Sequence, residues 1–171
     1  MDNMREHTGR KIRVANSADL YSIRNLANEI WKVSYVNIIS DQQILYMLET
    51  MYSISSLLRQ TVKEGCTFYI LSEGENDLGF ASVSQHPEGV CRLNKLYVDT
   101  TRHGSGLGKD LLQKVEDHVK NVGCSILELN VNKRNPAVSF YIAKGFIVHR
   151  EEVLDIGNGF VMDDYVMRKS L

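Results

Sequence analysis

Excess charge of either sign is missing from this 171-residue chain, in which 20 Lys and Arg stand against 21 Asp and Glu for a formal −1. No global field exists to hold nucleic acid or an anionic membrane, and neither is expected as a partner. Long apolar runs are missing as well. Met1 to Arg10 is polar and mixed in charge, with no apolar h-region, and no later run approaches the ~20 apolar residues of a membrane span. Cysteine is scarce: Cys66, Cys91 and Cys124 are odd in number, far apart and in no CxxC pair. That excludes a disulfide framework and offers no metal-ligand spacing. Each lies in or beside an apolar run, where Cys behaves as a small buried hydrophobe. A reducing compartment, the cytoplasm, is the expected setting, and no metal is expected. Proline is reduced to Pro87 and Pro136, so long helices and strands can run unbroken.

What is present is ordinary in bulk. An apolar fraction of 43% and a charged fraction of 24%, at this length, suit one domain around a substantial core. Residues 11–171 are expected to form it, after a flexible segment over residues 1–10. Lys11 to Ala15 alternates as a short strand. Ser17 is placed to cap a helix with Leu20, Ile23, Leu26, Ala27, Ile30 and Trp31 at three- and four-residue spacing. Ser40 and Ser53 are placed to cap two more, near Gln43 to Met51 and Ile54 to Glu64. Thr67 to Ser72, Gly79 to Gln85 and Val90 to Val98 read as a meander of strands joined by turns at Gly74–Asp77 and His86–Gly89.

A glycine-rich loop then leads into a helix with Leu107, Leu111, Val115 and Val119 on one face. A buried strand, Ile126 to Val131, and a short helix, Asn135 to Lys144, come next. Strands near Phe146–Leu154 and Gly159–Arg168 close the chain. The order β-α-α-α-β-β-β-α-β-α-β-β predicts an α/β fold: a mixed, mostly antiparallel sheet of about seven strands with helices on both faces.

The loop is the most informative segment. The strand ending Leu96-Tyr97-Val98 runs into His103-Gly104-Ser105-Gly106-Leu107-Gly108-Lys109, which opens an amphipathic helix. Glycines let the backbone approach a ligand, and the first N–H groups of a helix are unpaired at its positive end. Such a site suits phosphate, and Lys109 adds a cation. A P-loop would need Ser or Thr after Gly108-Lys109, where Asp110 stands, and a Gly where His103 stands. A dinucleotide fold would need GxGxxG after the first strand of a parallel unit, whereas here the spacing is GxGxG after a meander.

The loop resembles motif A of the GCN5-related N-acetyltransferases (GNAT superfamily), [QR]-x-x-G-x-[GA], with His103 in place of the usual Gln or Arg. Asn132-Lys-Arg-Asn-Pro-Ala-Val-Ser-Phe-Tyr-Ile-Ala-Lys-Gly-Phe146 is similar to motif B of the same family, in the family's order and spacing. The resemblance implies acetyl-CoA as co-substrate. His103, Gly104, Ser105, Gly106, Leu107, Gly108 and Lys109 would hold the pyrophosphate. Leu96, Tyr97 and Val98 would lie along the pantetheine, in a gap between the fourth and fifth strands, and an N–H there would polarise the thioester carbonyl. Tyr141 would protonate the departing thiolate, or else belong with Phe140 to an aromatic pair on the core face. Asn135 would contact the cofactor or cap its helix, with Asn132 the alternative contact.

The general base is not legible. The family often carries a Glu on the fourth strand where this chain has Asn94, beside Lys95. Glu128 acting through water, or a surface role for it, and a solvated His86 are the other readings. For the acceptor, Trp31, Tyr35, Tyr46 and Met47 either line a pocket or pack helices. Glu151, Glu152, Asp155, Asp163 and Asp164 form an acidic stretch that favours a cationic small-molecule or peptide amine, with Glu151 and Asp163 as candidate contacts. The close of the chain and the loop are somewhat like bacterial polyamine acetyltransferases. The missing Glu leaves a non-catalytic coenzyme A-binding module as the competing reading, and a homodimer is compatible with the resemblance.

Overall fold

Short-range signals shape the first third of the chain. In the computed structural model, which describes residues 9–171, Arg10–Val14 forms strand β1. Asn16, rather than Ser17, caps the next element: its side chain accepts the Ala18 amide at 2.9 Å, and the Asp19 carboxylate accepts the Asn16 amide at 2.8 Å. Asn caps as well as Ser does, and an acid three residues on completes the reciprocal box. A single 3-10 turn, Ser17–Asp19, therefore precedes helix α1 (Leu20–Ser34). Ser40 and Ser53 do cap α2 (Asp41–Tyr52) and α3 (Ile54–Val62). The segment expected to be flexible, residues 1–10, lies outside the described residues up to residue 8, and Arg10 already belongs to β1.

Strands β2 (Thr67–Glu73), β3 (Asn76–His86) and β4 (Val90–Val98) form the expected meander. Helix α4 (Leu107–Asn121), strand β5 (Ile126–Asn132) and helix α5 (Ala137–Ala143) come after it, and β6 (Ile147–Gly157) and β7 (Phe160–Ser170) make the closing hairpin. One seven-stranded sheet results, in the order β1-β2-β3-β4-β5-β7-β6. Every neighbouring pair is antiparallel except β4 and β5. Two apolar clusters fill its faces. One holds α4 and α5 against Leu71, Val83, Leu93, Leu127 and Leu129. The other holds α1, α2 and α3 against Phe68, Ile70 and Phe80. Cys91 and Cys124 meet in the first cluster with their sulfurs 2.9 Å apart, both free thiols. Burial, then the neighbouring thiol, pushes Cys91 up to about 12.

The β4–β5 pairing decides where the site lies. It runs from Val90↔Ile126 only to Leu93↔Leu129. There β4 carries a bulge against β3: Ser82 faces Lys95 and Val83 faces Leu93, leaving Asn94 extra. A bulge sharpens the local twist, and beyond it β4 stays with β3 while β5 stays with β7 as far as Asn132↔Asp164. The sheet opens between them.

Gly79 keeps β3 and β4 in register at this point. A Cβ there would stand 2.8 Å from the Tyr97 carbonyl oxygen and 3.2 Å from Leu111 Cδ1. Gly79→Ala is expected to lower stability by about 1–3 kcal/mol, read as a lower urea midpoint with an unchanged m-value.

Candidate active site

The opening between β4 and β5 is the floor of a cleft of about 1120 Å³. At one end stands the start of α4. Asp110 is the first residue to donate to the helix ladder, to the Gly106 carbonyl at 3.0 Å, so the amides of Leu107, Gly108 and Lys109 precede it without an intrahelical acceptor. Gly106 caps the helix at φ +88° and Gly104 sits at +81°, a left-handed conformation that L side chains resist. The loop is anchored from behind. Asp99 accepts the Thr101 amide at 2.9 Å, Arg102 donates to Glu73 at 2.7 Å, and Arg10 pairs with Asp110 at 3.1 Å. His103, Gly104, Gly106, Leu107, Gly108 and Lys109 line the cleft. Ser105 does not; it is exposed, and its hydroxyl donates to the Arg102 carbonyl. Three free amides, the positive helix end and Lys109 and Lys144 at the rim make a cradle suited to a pyrophosphate.

Leu96, Tyr97 and Val98 line the middle, and Val131 and Asn132 the opposite wall. Backbone groups on the facing edges of these strands lack strand partners, so an extended ligand with amides of its own can lie between them. Motif B closes this region. Asn135 accepts the Ala137 amide at 2.9 Å, which shortens α5 relative to the expected Asn135–Lys144, and it offers its amide nitrogen to the Tyr35 hydroxyl at 3.5 Å. Asn132 accepts the Arg134 amide at 2.9 Å. Arg134 in turn donates to the carbonyls of Asn37 and Ile38, strapping the α1–α2 loop over this end.

Tyr141 is buried on α5, edge-on to Phe140 and Phe146, so it is both a core aromatic and a cleft-lining group. Burial, then the nearby Tyr35, pushes its phenol well above the ordinary value. The same burial raises Tyr35 and Tyr97, whose hydroxyls lie 3.2 Å apart. Trp31 stacks on Tyr35 with ring centroids 4.4 Å apart and meets Tyr97 at 5.7 Å. Trp31, Tyr35 and Met47 thus line the cleft, whereas Tyr46 does not: its hydroxyl donates to the Ile156 carbonyl at 2.8 Å.

The bulge turns Asn94 and Lys95 to the same side of the sheet, where both line the cleft and both are engaged by neighbouring side chains. Asn94 donates to Ser84 at 2.9 Å. Lys95 donates to Gln60 on α3 at 2.7 Å, between the rings of Tyr52 and Phe68, and burial lowers it to about 8. His86 bonds Ser84 at 3.1 Å and does not line the cleft. Glu128 is held by Arg168 at 2.8 Å, Arg150 at 3.7 Å and Arg92 at 3.9 Å. Burial pushes its carboxyl up, but these guanidinium groups outweigh burial and keep it ionised.

Of the two acidic candidates, neither reaches the cleft. Glu151 and Asp163 are 65% and 56% exposed and each lies 2.7 Å from Lys133. Strand alternation puts the next residue, Asp164, inside instead. In the sequence it is one acid of an acidic stretch and carries no mark of its own; the period-two series Met162, Asp164, Val166, all buried, is the signal that distinguishes it. Among the described residues no group of His, Cys, Asp and Glu is arranged to hold a metal, and no helix is long and apolar enough to cross a membrane.

The profile of a family described as an acetyltransferase (GNAT) domain matches residues 35–169. The spermidine N(1)-acetyltransferase of Thermoplasma acidophilum is 28% identical over 158 residues, 90% of this chain and 95% of that protein. Among solved structures, the PaiA N-acetyltransferase of Thermoplasma acidophilum in complex with coenzyme A superposes with a TM-score of 0.81 at 26% identity, covering 95% of this chain and 99% of that one. A GCN5-related N-acetyltransferase from Rhodopseudomonas palustris gives 0.80 at 19% identity, over 94% and 95% of the two chains.

The Lys95 site carries a measurable pH signature. Between about 8 in the native state and 10.5 when unfolded, the unfolded chain binds more protons, so native stability rises with pH across that window. From pH 8 to 10.5, wild type is expected to gain about 2–3 kcal/mol of unfolding free energy relative to Lys95→Met, measured by urea denaturation at both ends.

Proposed function

The chain belongs to the GNAT acetyltransferase family, and from that premise we propose that it transfers the acetyl group of acetyl-CoA to a primary amine by direct attack in a ternary complex. The observation that carries this reading is the continuity of the cleft. A phosphate cradle at Gly104–Lys109, the parted edges of β4 and β5, and the Tyr141 phenol lie along one channel. A coenzyme A whose pyrophosphate sits on the α4 amides has its pantetheine arm directed between β4 and β5, with the thioester farther along the gap, toward Tyr141 and the aromatic rings of Tyr35 and Tyr97.

Each group then has a defined task. A backbone N–H on the free edge of β4 polarises the thioester carbonyl, a preorganised donor aimed at charge that develops only in the transition state. The amine nitrogen attacks the carbonyl carbon, the carbon–nitrogen bond forms and the carbon–sulfur bond breaks. Tyr141 hands its proton to the departing thiolate. A phenol held neutral by burial keeps that proton until a thiolate is released beside it. Proximity supplies much of the rest of the acceleration, because both reactants are held in one narrow channel.

The acceptor is a polyamine or another small cationic amine. Similarity to a spermidine N(1)-acetyltransferase supports it, as does the buried carboxylate of Asp164 in the cleft wall. The unbridged thiols suit action in the cytoplasm.

Calorimetric titration with acetyl-CoA tests the site. Wild type is expected to bind at micromolar concentration. Gly106→Glu, which puts an L side chain at φ +88° and a negative charge in the loop that caps α4, is expected to abolish binding. Tyr141→Phe is expected to bind within threefold of wild type while thiol release with spermidine falls about 100-fold or more. Binding without thiol release for any amine would indicate a coenzyme A-binding module instead.

A further inference from the structure

We infer that Asp164 is the residue that receives the acceptor's reacting ammonium and takes its proton, the role left unfilled by Asn94 on β4. This deepens the acetyl-transfer reading and rests on it.

The other carboxylates of this half of the sheet are already engaged. Glu128 is surrounded by three arginines. Glu152 accepts from Asn130 at 3.0 Å and faces Arg150 at 3.7 Å. Glu151 and Asp163 share Lys133, and Asp155 accepts the Gly157 amide at 2.9 Å. Asp164 alone among them is left over. It is 5% exposed, its Oδ2 is 3.5 Å from the Asn130 amide nitrogen, and its Oδ1 is buried without a hydrogen-bond partner among the described residues. A buried carboxylate oxygen with no donor is costly. It is retained here in the wall of the cleft, where a donor arriving from outside can satisfy it. An ammonium is such a donor, with three N–H groups and the opposite charge.

Position and basicity agree with the role. Asp164 is the register partner of Asn132, the last residue of β5, where the opening between β4 and β5 is complete. The groups facing it are Asn130 on β5, Glu152 on β6, Arg92 on β4, Tyr35 at the end of α1, and the adjacent Asp163. Burial pushes its carboxyl above the ordinary range. The Asn130 hydrogen bond and Arg92 oppose that, while Glu152 and Asp163 add to it. A carboxylate of raised proton affinity is the better acceptor from an ammonium.

The protons balance. Asp164 removes one from R–NH3+, giving the neutral amine that attacks, and passes it to solvent. The second proton lost from nitrogen as the amide forms replaces the one that Tyr141 gives to the thiolate. One ammonium and one thioester yield one amide, one thiol and one released proton.

Asp164→Asn keeps the shape and removes the base. The full chain is titrated with acetyl-CoA, and thiol release with spermidine is followed from mildly acidic to alkaline pH. The variant is expected to bind acetyl-CoA within threefold of wild type and to lose about 100-fold or more in kcat/KM for the amine near neutrality. The profile should also change form. Wild type holds a plateau up to the amine's own pKa, whereas the variant rises about tenfold per pH unit because only amine already neutral in solution can react. A variant within threefold of wild type with the same plateau overturns the inference and leaves the acetyl-transfer reading standing. A variant that no longer binds acetyl-CoA overturns it in favour of a structural role. A wild type that binds acetyl-CoA but releases no thiol with any small primary amine overturns both.

Discussion

Beyond Leu93 and Leu129 the parallel strands β4 and β5 exchange no further ladder hydrogen bonds, and the rest of the site is arranged around that gap. A sheet interrupted in its middle presents two edges of backbone donors and acceptors that want partners. Closing the gap with protein would satisfy them and abolish the site. It stays open because each strand is committed elsewhere, β4 to β3 through a bulge and β5 to β7 along its full length. The two apolar clusters on opposite faces of the sheet hold those commitments in place. The interruption is therefore supported by continuous packing on either side.

Charge in the open half of the sheet is distributed with the same economy. Arg92, Arg150 and Arg168 converge on Glu128, and Lys133 joins Glu151 to Asp163. Most of these groups are partly exposed, so the pairs contribute little to stability individually. Their effect is to remove from the cleft the carboxylates that would otherwise compete for a cation. The acidic stretch that looks in sequence like a diffuse electrostatic surface is, in three dimensions, divided: Lys133 holds Glu151 and Asp163, Arg150 faces Glu152, and Asp164 is turned inward.

The fold was largely legible. Element order and type follow from periodicity, caps and turns, and the shifts at Ser17 and Asn135 come from side chains that compete for the same backbone amides: Asn16 in one case and Asn135 itself in the other. Much of the cleft lining was legible as well, because the glycine loop and the Asn132–Phe146 segment each bring their residues to the cleft through local chain geometry. What local geometry cannot supply is pairing across the sheet. The adjacency of Cys91 and Cys124, the engagement of Lys95 by Gln60, and the arginines around Glu128 all join residues far apart in the chain.

Asp163 and Asp164 mark the boundary between the two kinds of information. By itself the sequence determined that a glycine-opened helix comes after a strand, that its amides are free, and that two acids stand side by side near the end of the chain; these depend on residue type and short spacing. Only the tertiary structure decided which acid turns outward to Lys133 and which inward without a partner. A strand alternates its side chains whatever they are, and the face that becomes the interior is chosen by the neighbouring strands and the helices packed upon them.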